Sequence, residues 1–283
     1  MHLRLGAIEI KVEIYFISAK LSMMKSFALI TGASSGIGKE IALSLASKSN
    51  NLILVARREN RLTELCAQIE KEFNVQCKYI VKDLLQPSAA NEVYEQALKI
   101  GHVHILVNNA GIGYQDKFLD TDWEMHENII KLNSTIPTQL TYLFSSHMID
   151  HKQDSYILNV ASLAAIFPIQ NLSVYSGSKA YLKHMMDSLY FEFKDTNISL
   201  TTVSPGGVVT EFSENANQHP TDFAKKHSKS AQTVAKLSIE AMYAKKRHFI
   251  VGLDNYMAYM LKRLLPENVF NSIFNKAFKN FFH

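Results

Sequence analysis

The sequence is poor in cysteine, which limits the classes of protein to which it can belong. Cys66 and Cys77 are the two cysteines in 283 residues, too few for a disulfide framework or a cysteine-based zinc site. We therefore predict no metal site from the sequence. A reducing, intracellular setting is the simplest interpretation, and we expect a cytoplasmic location.

Long apolar runs and long basic runs are also missing. No apolar run reaches the roughly 18 residues that a membrane-spanning helix needs. Glu9, Lys11 and Glu13 interrupt the apolar character of the amino terminus, which argues against a signal peptide. The net charge of +4 includes no long basic block, so we expect no nucleic-acid partner.

Residues 1–24 form an extension ahead of the first regular segment. Apolar residues at every second position from Ile8 to Ile14 alternate with charged residues, which is the period of a strand. This extension is either an additional edge strand or the result of an early start codon, with Met23 or Met24 as the true beginning.

Residues 25–255 alternate between short apolar runs and longer helical segments. The strand candidates are 27–31, 52–56, 77–81, 103–107, 156–161, 198–204 and 248–253. The helical candidates run to 48, over 59–73, 88–100, 122–147 and 173–194, and to 245 after a polar loop at 211–230. This alternation predicts a single α/β domain with a doubly wound parallel sheet of about seven strands and helices on both faces.

Ligands of such sheets bind outside the carboxyl ends of the strands. The first strand ends in TGASSGIG at 31–38, where Gly32, Gly36 and Gly38 allow sharp turns and close approach to a ligand. A helix begins at once, and its free N–H groups favour a phosphate. The spacing is that of a glycine-rich dinucleotide-binding turn, in a less common form.

The second strand ends in Ala56, Arg57 and Arg58. A cofactor without a 2′-phosphate usually meets a carboxylate here, on its ribose hydroxyls. A guanidinium instead suits a phosphate by charge and by paired hydrogen bonds, with Ser34 and Ser35 as further donors. The sequence therefore favours NADP(H) over NAD(H).

The other strand ends carry residues suited to the rest of a dinucleotide. Asp83 and Leu84 could meet an adenine, although an Asp after a strand is also ordinary turn chemistry. Asn109, Ala110 and Gly111 are small enough for a ring or ribose to lie close to the backbone. Backbone groups of the 204–210 turn and the Thr210 hydroxyl could meet a nicotinamide amide or a phosphate.

A hydroxyl, a phenol and an amine come next along the chain. Tyr175 and Lys179 are four residues apart, so they share one face of a helix. An ammonium beside a phenol favours the phenolate, and we expect Lys179 to lower the pKa of Tyr175. Ser162 ends the fifth strand and could hold a carbonyl oxygen.

Together these motifs resemble the short-chain dehydrogenase/reductase family, over about residues 25–254. The resemblance implies a Rossmann-like fold, a homodimer or homotetramer, and catalysis by Ser162, Tyr175 and Lys179, with Asn133 anchoring a water that passes protons. It implies an NADP(H) site formed by Gly32, Ser34, Ser35, Gly36, Ile37, Gly38, Arg57, Arg58, Asp83, Leu84, Asn109, Ala110, Gly111, Tyr175, Lys179, Pro205, Gly206, Val208 and Thr210.

The substrate pocket is expected to be apolar and closed by the 211–230 loop. Phe212, Phe223, Leu163, Ile166 and Phe167 are its predicted wall, which favours a small lipophilic ketone, aldehyde or alcohol. The alternative function is a catalytically silent NADP-binding redox sensor or scaffold. Proteins of that kind usually lack a catalytic residue, whereas Ser162, Tyr175 and Lys179 are all present.

Residues 256–283 form an aromatic-rich tail. After Pro266, apolar pairs recur every four residues up to Phe281 and Phe282, with Lys276 and Lys279 between them. This pattern predicts an amphipathic helix. Its apolar face either packs on the protein's own body, forms a dimer contact, or lies in the plane of a membrane surface.

Overall fold

The computed structural model describes residues 25–208 and 210–278. These residues form one sheet of seven parallel strands in the order β3-β2-β1-β4-β5-β6-β7. The strands are β1 Ser26–Thr31, β2 Asn51–Ala56, β3 Cys77–Val81, β4 His102–Asn108, β5 Ser155–Val160, β6 Ile198–Ser204 and β7 His248–Ile250. The sheet confirms the predicted doubly wound, Rossmann-like fold.

Helices cover both faces of the sheet. They are α1 Gly36–Ala46, α2 Glu59–Phe73, α3 Ala89–Ile100, α4 Trp123–Ile130, α5 Ile136–His151, α6 Ser173–Glu192, α7 Glu211–Asn215, α8 Asp222–His227, α9 Ala231–Tyr243, α10 Leu253–Leu264 and α11 Glu267–Phe278. In β1, Ala28 and Ile30 pack against α1, α2 and α9, while Phe27 and Leu29 pack against α3 and α5. A strand buried on both faces needs a continuous apolar run, which is why this segment reads as FALI.

The long helix predicted over 122–147 is interrupted. A π-helical turn at Lys131–Thr135 separates α4 from α5, and α5 continues to His151. Asn133 lies in this turn and is 1% exposed. Its amide hydrogen-bonds the backbone of Ile112 rather than pointing to solvent, and such turns are frequent at functional sites.

The polar loop predicted over 211–230 contains two short helices. The Thr210 hydroxyl accepts a hydrogen bond from the Phe212 N–H at the start of α7, and the Thr221 hydroxyl accepts one from the Ala224 N–H at the start of α8. Threonine at these positions satisfies amide groups that a helix leaves unpaired. The sequence analysis missed both caps because it treated polar residues as a loop signal.

The carboxyl-terminal tail is two helices, and the first begins at Leu253, within the segment assigned to the core. In α11, Phe270 is 3% exposed. The rings of Phe270 and Phe274 lie 5.2 and 4.6 Å, respectively, from the ring of Phe167. Lys262 of α10 donates to the Ile166 carbonyl oxygen over 2.5 Å. Of the three alternatives for the tail, these contacts are those of packing on the protein's own body.

Two sequence-based predictions fall beyond the described residues. The edge strand or early start at 1–24 is one, and the tail pattern at Lys279, Phe281 and Phe282 is the other. Within the described ranges, none of the helices combines the length and the apolar character needed to span a bilayer. Cys66 and Cys77 are buried free thiols whose sulfur atoms lie 2.6 Å apart.

Candidate active site

A cleft of about 680 Å³ opens at the carboxyl edge of the sheet. The ends of β1, β2, β4, β5 and β6 all reach it, as expected for a parallel sheet whose helices pack on both faces. Most of the predicted site residues line this cleft. The two exceptions are Gly38 and Asn133, which lie behind its wall.

Ser162, Tyr175 and Lys179 meet within the cleft. Tyr175 and Lys179 lie one turn apart on α6, and the Lys179 Nζ is 5.9 Å from the centre of the Tyr175 ring. Ser162 follows β5, and its side chain is close enough to the Tyr175 phenol to act on the pKa of that group. Lys179 is 4% exposed and donates to the Val160 carbonyl oxygen over 3.0 Å. The phenol and the serine hydroxyl can therefore reach the same substrate oxygen.

The direction of the Tyr175 pKa differs from the sequence-based expectation. Burial raises this pKa to about 12, and the interaction with the Ser162 side chain opposes that rise only in part. Burial also lowers the pKa of Lys179 to about 8. Desolvation disfavours both charged forms, and it is the largest cause of the shift in both groups. At neutral pH Tyr175 is thus a neutral phenol, ready to donate a proton.

The glycine-rich turn is held by close backbone contacts. Gly32 has a φ of +67°, in the left-handed region, which glycine adopts at little cost. A Cβ on Gly38 would lie 2.3 Å from the Gly32 carbonyl oxygen and 2.4 Å from the Asn109 Nδ2. Gly38 therefore lets α1 approach the turn, and it supports the cleft without lining it.

Thr31 and Asn109 connect the glycine-rich turn to the end of β4. The Thr31 hydroxyl donates to the Val107 carbonyl and accepts from the N–H groups of Asn109 and Ala110. The Asn109 Nδ2 donates to the carbonyl oxygens of Thr31 and Gly32 over 2.9 and 3.2 Å. The sequence analysis missed Thr31, because a threonine at a strand end is unremarkable until β1 and β4 are known to be neighbours.

The two arginines after β2 differ in their surroundings. The Arg57 side chain is 69% exposed, and its nearest carboxylate oxygen, on Asp83, is 4.0 Å away. The Arg58 Nη2 donates to the hydroxyls of Ser34 and Ser35 over 3.0 and 2.9 Å. The Arg58 Nη1 lies 2.7 Å from a carboxylate oxygen of Glu211.

Glu211 connects the turn after β6 to the start of α2. Its second oxygen lies 2.5 Å from Arg61 Nη1, and the hydrogen bonds from Arg58 and Arg61 lower the pKa of this carboxyl to about 2. The bridge lies at the rim of the cleft. Nothing in the sequence indicated it, because Glu211 and Arg58 are 153 positions apart.

The Asn133 side chain holds the loop after β4 in place through hydrogen bonds. Its Oδ1 accepts from the Ile112 N–H over 3.0 Å, and its Nδ2 donates to the Ile112 carbonyl over 2.8 Å and to the Ser178 Oγ over 3.0 Å. A Cβ on Gly111 would lie 2.9 Å from the Asn133 Oδ1 and 3.3 Å from the Lys179 Nζ. Asn133 thus fixes the floor of the cleft beside Lys179.

The remaining predicted residues line the cleft through backbone and turn atoms. The Asp83 Oδ1 accepts from the Leu85 N–H over 3.0 Å, which is the turn chemistry considered for it. The Pro205 carbonyl accepts from the Leu163 N–H over 2.9 Å. Gly206 lies against Asn255, whose Nδ2 would be 2.7 Å from a Cβ at that position.

The apolar wall differs in part from the predicted one. Phe212 and Leu163 line the cleft, and the Phe212 ring lies 5.8 Å from that of Tyr175. Ile166 and Phe167 are buried beneath it, and Phe223 is 51% exposed to solvent. The wall is completed by Ile169, Leu172, Phe274, Ala277 and Phe278, which the sequence analysis did not include.

This fold and this constellation of strand-end residues define a dinucleotide-binding oxidoreductase of the doubly wound α/β class. A family model of the short chain dehydrogenases matches residues 26–221. The chain therefore belongs to the short-chain dehydrogenase/reductase family, whose members act on alcohol and carbonyl groups.

Three known proteins illustrate the similarity. An uncharacterized oxidoreductase of Staphylococcus epidermidis is 31% identical over 222 residues, which are 76% of this chain and 90% of that protein. A very-long-chain 3-oxoacyl-CoA reductase of Pyrenophora tritici-repentis is 36% identical over 196 residues. The match covers 67% of this chain and only 57% of that reductase.

A solved structure gives the same architecture. It is a short-chain dehydrogenase from Sphingobium yanoikuyae in complex with NADPH, 26% identical, with a TM-score of 0.75. The superposition covers 81% of this chain and 89% of that one.

Proposed function

We propose that this protein is an NADP(H)-dependent oxidoreductase that interconverts a lipophilic ketone or aldehyde with its alcohol. The observation that carries the proposal is the meeting of Ser162, Tyr175 and Lys179 in one cleft at the carboxyl edge of the sheet. Of these three cleft residues, Ser162 and Tyr175 carry hydroxyl groups that can hydrogen-bond a substrate oxygen, and the phenol can exchange a proton with it.

The residues divide the reaction between them. Ser162 donates to the carbonyl oxygen and stabilises the negative charge that develops there. The Tyr175 hydroxyl gives its proton to that oxygen in reduction, and the phenolate takes it back in oxidation. Lys179 holds the nicotinamide ribose and supplies positive charge near the phenol. Bound NADPH supplies the hydride.

The preference for NADP(H) rests on the arginines after β2. Ala56 provides no carboxylate for ribose hydroxyls, whereas Arg58, Ser34 and Ser35 already form a cluster of donors beside the glycine-rich turn. The exposed Arg57 is free to turn toward a phosphate from the other side. A 2′-phosphate placed here would gain charge-assisted hydrogen bonds from both guanidinium groups.

A comparison of both cofactors tests this preference. Arg57→Ala and Arg58→Ala should each weaken NADPH more than NADH, by roughly 1.5–3 kcal/mol for a lost charge-assisted bond. Arg61→Ala is the matched control, because Arg61 holds Glu211 but does not line the cleft. Equal weakening of both cofactors in the two cleft variants would show that these arginines do not recognise the phosphate.

The lipophilic character of the substrate is supported by the cleft wall. Phe212 lies against the Tyr175 ring, and Phe274 and Phe278 of α11 pack in one cluster with Leu172 and Tyr175. A substrate carbonyl near Tyr175 would thus place its remaining atoms among aromatic rings. The similarity to a relative named for very-long-chain 3-oxoacyl-CoA reduction is in keeping with such a substrate.

A carbonyl screen tests the function itself. Purified protein is mixed with NADPH and with ketones and aldehydes of increasing chain length, and the loss of NADPH absorbance is followed. We expect turnover that rises with apolar chain length. NADPH binding without turnover of any compound would favour the alternative, a silent NADP-binding redox sensor or scaffold.

Partners other than substrate are also part of the proposal. We expect a homodimer or homotetramer, supported by exposed aromatic residues on adjacent helices, among them Tyr142 on α5 and Tyr181 on α6. Peripheral membrane contact would use the outer side of the tail, where Met257, Leu264 and Ile273 are 60%, 78% and 55% exposed. Measurement of the mass in solution tests the oligomer, and co-sedimentation with liposomes tests the membrane contact. We expect the protein to be cytoplasmic.

A further inference from the structure

Three histidines form a cluster at the edge of the sheet opposite the cleft. His102 is the first residue of β4, and His147 and His151 lie in the last turns of α5. The His102 Nδ1 is 2.9 Å from the His147 Nε2, and the His151 Nε2 is 3.2 Å from the His147 Nδ1. One ligand nitrogen from each ring can be chosen so that all three lie within 4.8 Å of one another.

The arrangement follows from the fold. His147 and His151 are four residues apart on a helix, so their side chains share one face. α5 packs against β4 through the apolar residues Leu140 and Phe144, which brings that face onto the start of the strand. His102 is 2% exposed, while the other two rings are half-buried and border solvent. The cluster is therefore closed on one side and accessible on the other.

Hydrogen bonds among the three rings do not use all of their nitrogen atoms. Two nitrogen–nitrogen contacts join the three imidazoles, and each can carry one proton. The His102 Nε2 is buried and has no hydrogen-bond partner among the residues that the structure describes. A buried polar atom without a partner is uncommon in folded proteins and calls for an explanation such as a bound water or ion.

The chemistry of the rings suits a metal ion. Neutral imidazole is the commonest metal ligand among protein side chains, and three imidazole rings lie together here. The negative charge of the Asp150 carboxylate, on the solvent side, is felt at His147 and His151. This charge would attract a cation bound by the three rings. Neutral imidazole nitrogens suit zinc, copper and nickel rather than magnesium or calcium.

We propose that His102, His147 and His151 form a three-histidine site for Zn²⁺. Zinc accepts imidazole nitrogens at about 2.0–2.1 Å with tetrahedral geometry, and small rotations of the side chains bring the three nitrogens to one point. Water takes the fourth position on the exposed side. The ion fastens the start of β4 to the end of α5, far from Tyr175, so it stabilises the fold and takes no part in hydride transfer.

The test uses the full chain without a histidine tag, freed of metal with a chelator that is then removed. Zinc binding is measured by calorimetry, and stoichiometry by elemental analysis. Addition of Co²⁺ gives visible absorbance bands whose intensity reports tetrahedral coordination. We expect one ion per chain, a higher melting temperature with zinc, and unchanged NADPH binding.

Single variants then assign the ligands. His147→Gln and His151→Gln should each weaken zinc binding at least about a hundred-fold, more than the loss of an outer-shell partner. His184→Gln, on an exposed part of α6, is the matched control and should bind as the wild type does. Both ligand positions are half-buried, and circular dichroism verifies that the variants fold.

Two outcomes overturn the proposal. One is a wild-type chain that takes up no zinc at 100-fold molar excess. The other is equal zinc affinity in the wild type and in both folded ligand variants, which would place the ion elsewhere. If a ligand variant fails to fold, the cobalt spectrum of the wild type still shows whether the protein binds the ion with tetrahedral coordination.

Discussion

Replacement of Asn133 by alanine separates two roles for this residue. If Asn133 only holds a water that passes protons, Asn133→Ala should lose activity and keep its stability. The structure indicates more, because the side chain makes three hydrogen bonds, two to the backbone of Ile112 and one to Ser178. Asn133 is 1% exposed, so water cannot simply replace the lost amide.

The expected magnitude follows from these contacts. A typical intramolecular hydrogen bond contributes about 0.5–1.5 kcal/mol net, so the loss of three bonds should lower the free energy of unfolding by roughly 1.5–4.5 kcal/mol. Whole domains are stable by only about 5–15 kcal/mol, and the variant should still fold. Turnover should also fall, because the loop at 111–113 beside Lys179 loses its anchor.

Urea unfolding followed by circular dichroism measures the effect, together with steady-state turnover. Asn91→Ala is the control, since Asn91 is an exposed asparagine on α3 with one side-chain contact, to Gln139. Its free energy of unfolding should stay within about 0.5 kcal/mol of the wild type. If Asn133→Ala is as stable as this control, the Asn133 side chain does not hold the loop at 111–113 in place. The predicted role in holding a water that passes protons would then remain alone.

Three further predictions concern the proton donor and the glycine-rich turn. Tyr175→Phe removes the transferable proton and keeps the ring, so turnover should fall at least ~10²-fold with NADPH binding nearly unchanged; turnover close to wild type would contradict the proposed acid. Because burial raises the pKa of Tyr175 to about 12, the phenolate needed for alcohol oxidation becomes more abundant as pH rises, and the oxidation rate should increase from pH 7 to 10. A flat oxidation profile over that range would show that another group takes the proton. Gly38→Ala places a Cβ 2.3 Å from the Gly32 carbonyl oxygen. We expect this variant to lose about 1–3 kcal/mol of unfolding free energy and to bind the dinucleotide more weakly. Gly177→Ala is the control, because the Cβ at that position would meet none of the described neighbouring atoms within 4 Å, and its NADPH affinity should be unchanged.

The order of strands and helices could be predicted from local pattern. The FALI run in β1 is apolar because that strand is buried on both faces, and α2 was predicted with its observed bounds, Glu59–Phe73. Helix breaks were harder to predict. Asn133 lies in a π turn and hydrogen-bonds Ile112, 21 positions away, and no local periodicity records such a contact.

The candidate site was predictable where its residues are close in sequence. The spacing of Tyr175 and Lys179 fixes them on one helix face, and the parallel sheet collects strand ends at one edge. The histidine cluster was missed, although His147 and His151 show helical spacing, because its third member comes from a strand 45 positions before His147.

What the sequence determined by itself is therefore the set of reactive groups and their order along the chain, because these depend on local periodicity and on strand-end position. Tertiary structure decided their surroundings. Phe274 and Phe278 line the cleft only because α11 folds back onto Leu172. Glu211 bridges Arg58 and Arg61 only because the chain after β6 returns across the carboxyl edge of the sheet to the start of α2. The raised pKa of Tyr175 was decided in the same way, since the free energy of a charge depends on its burial, and burial is a property of the folded chain.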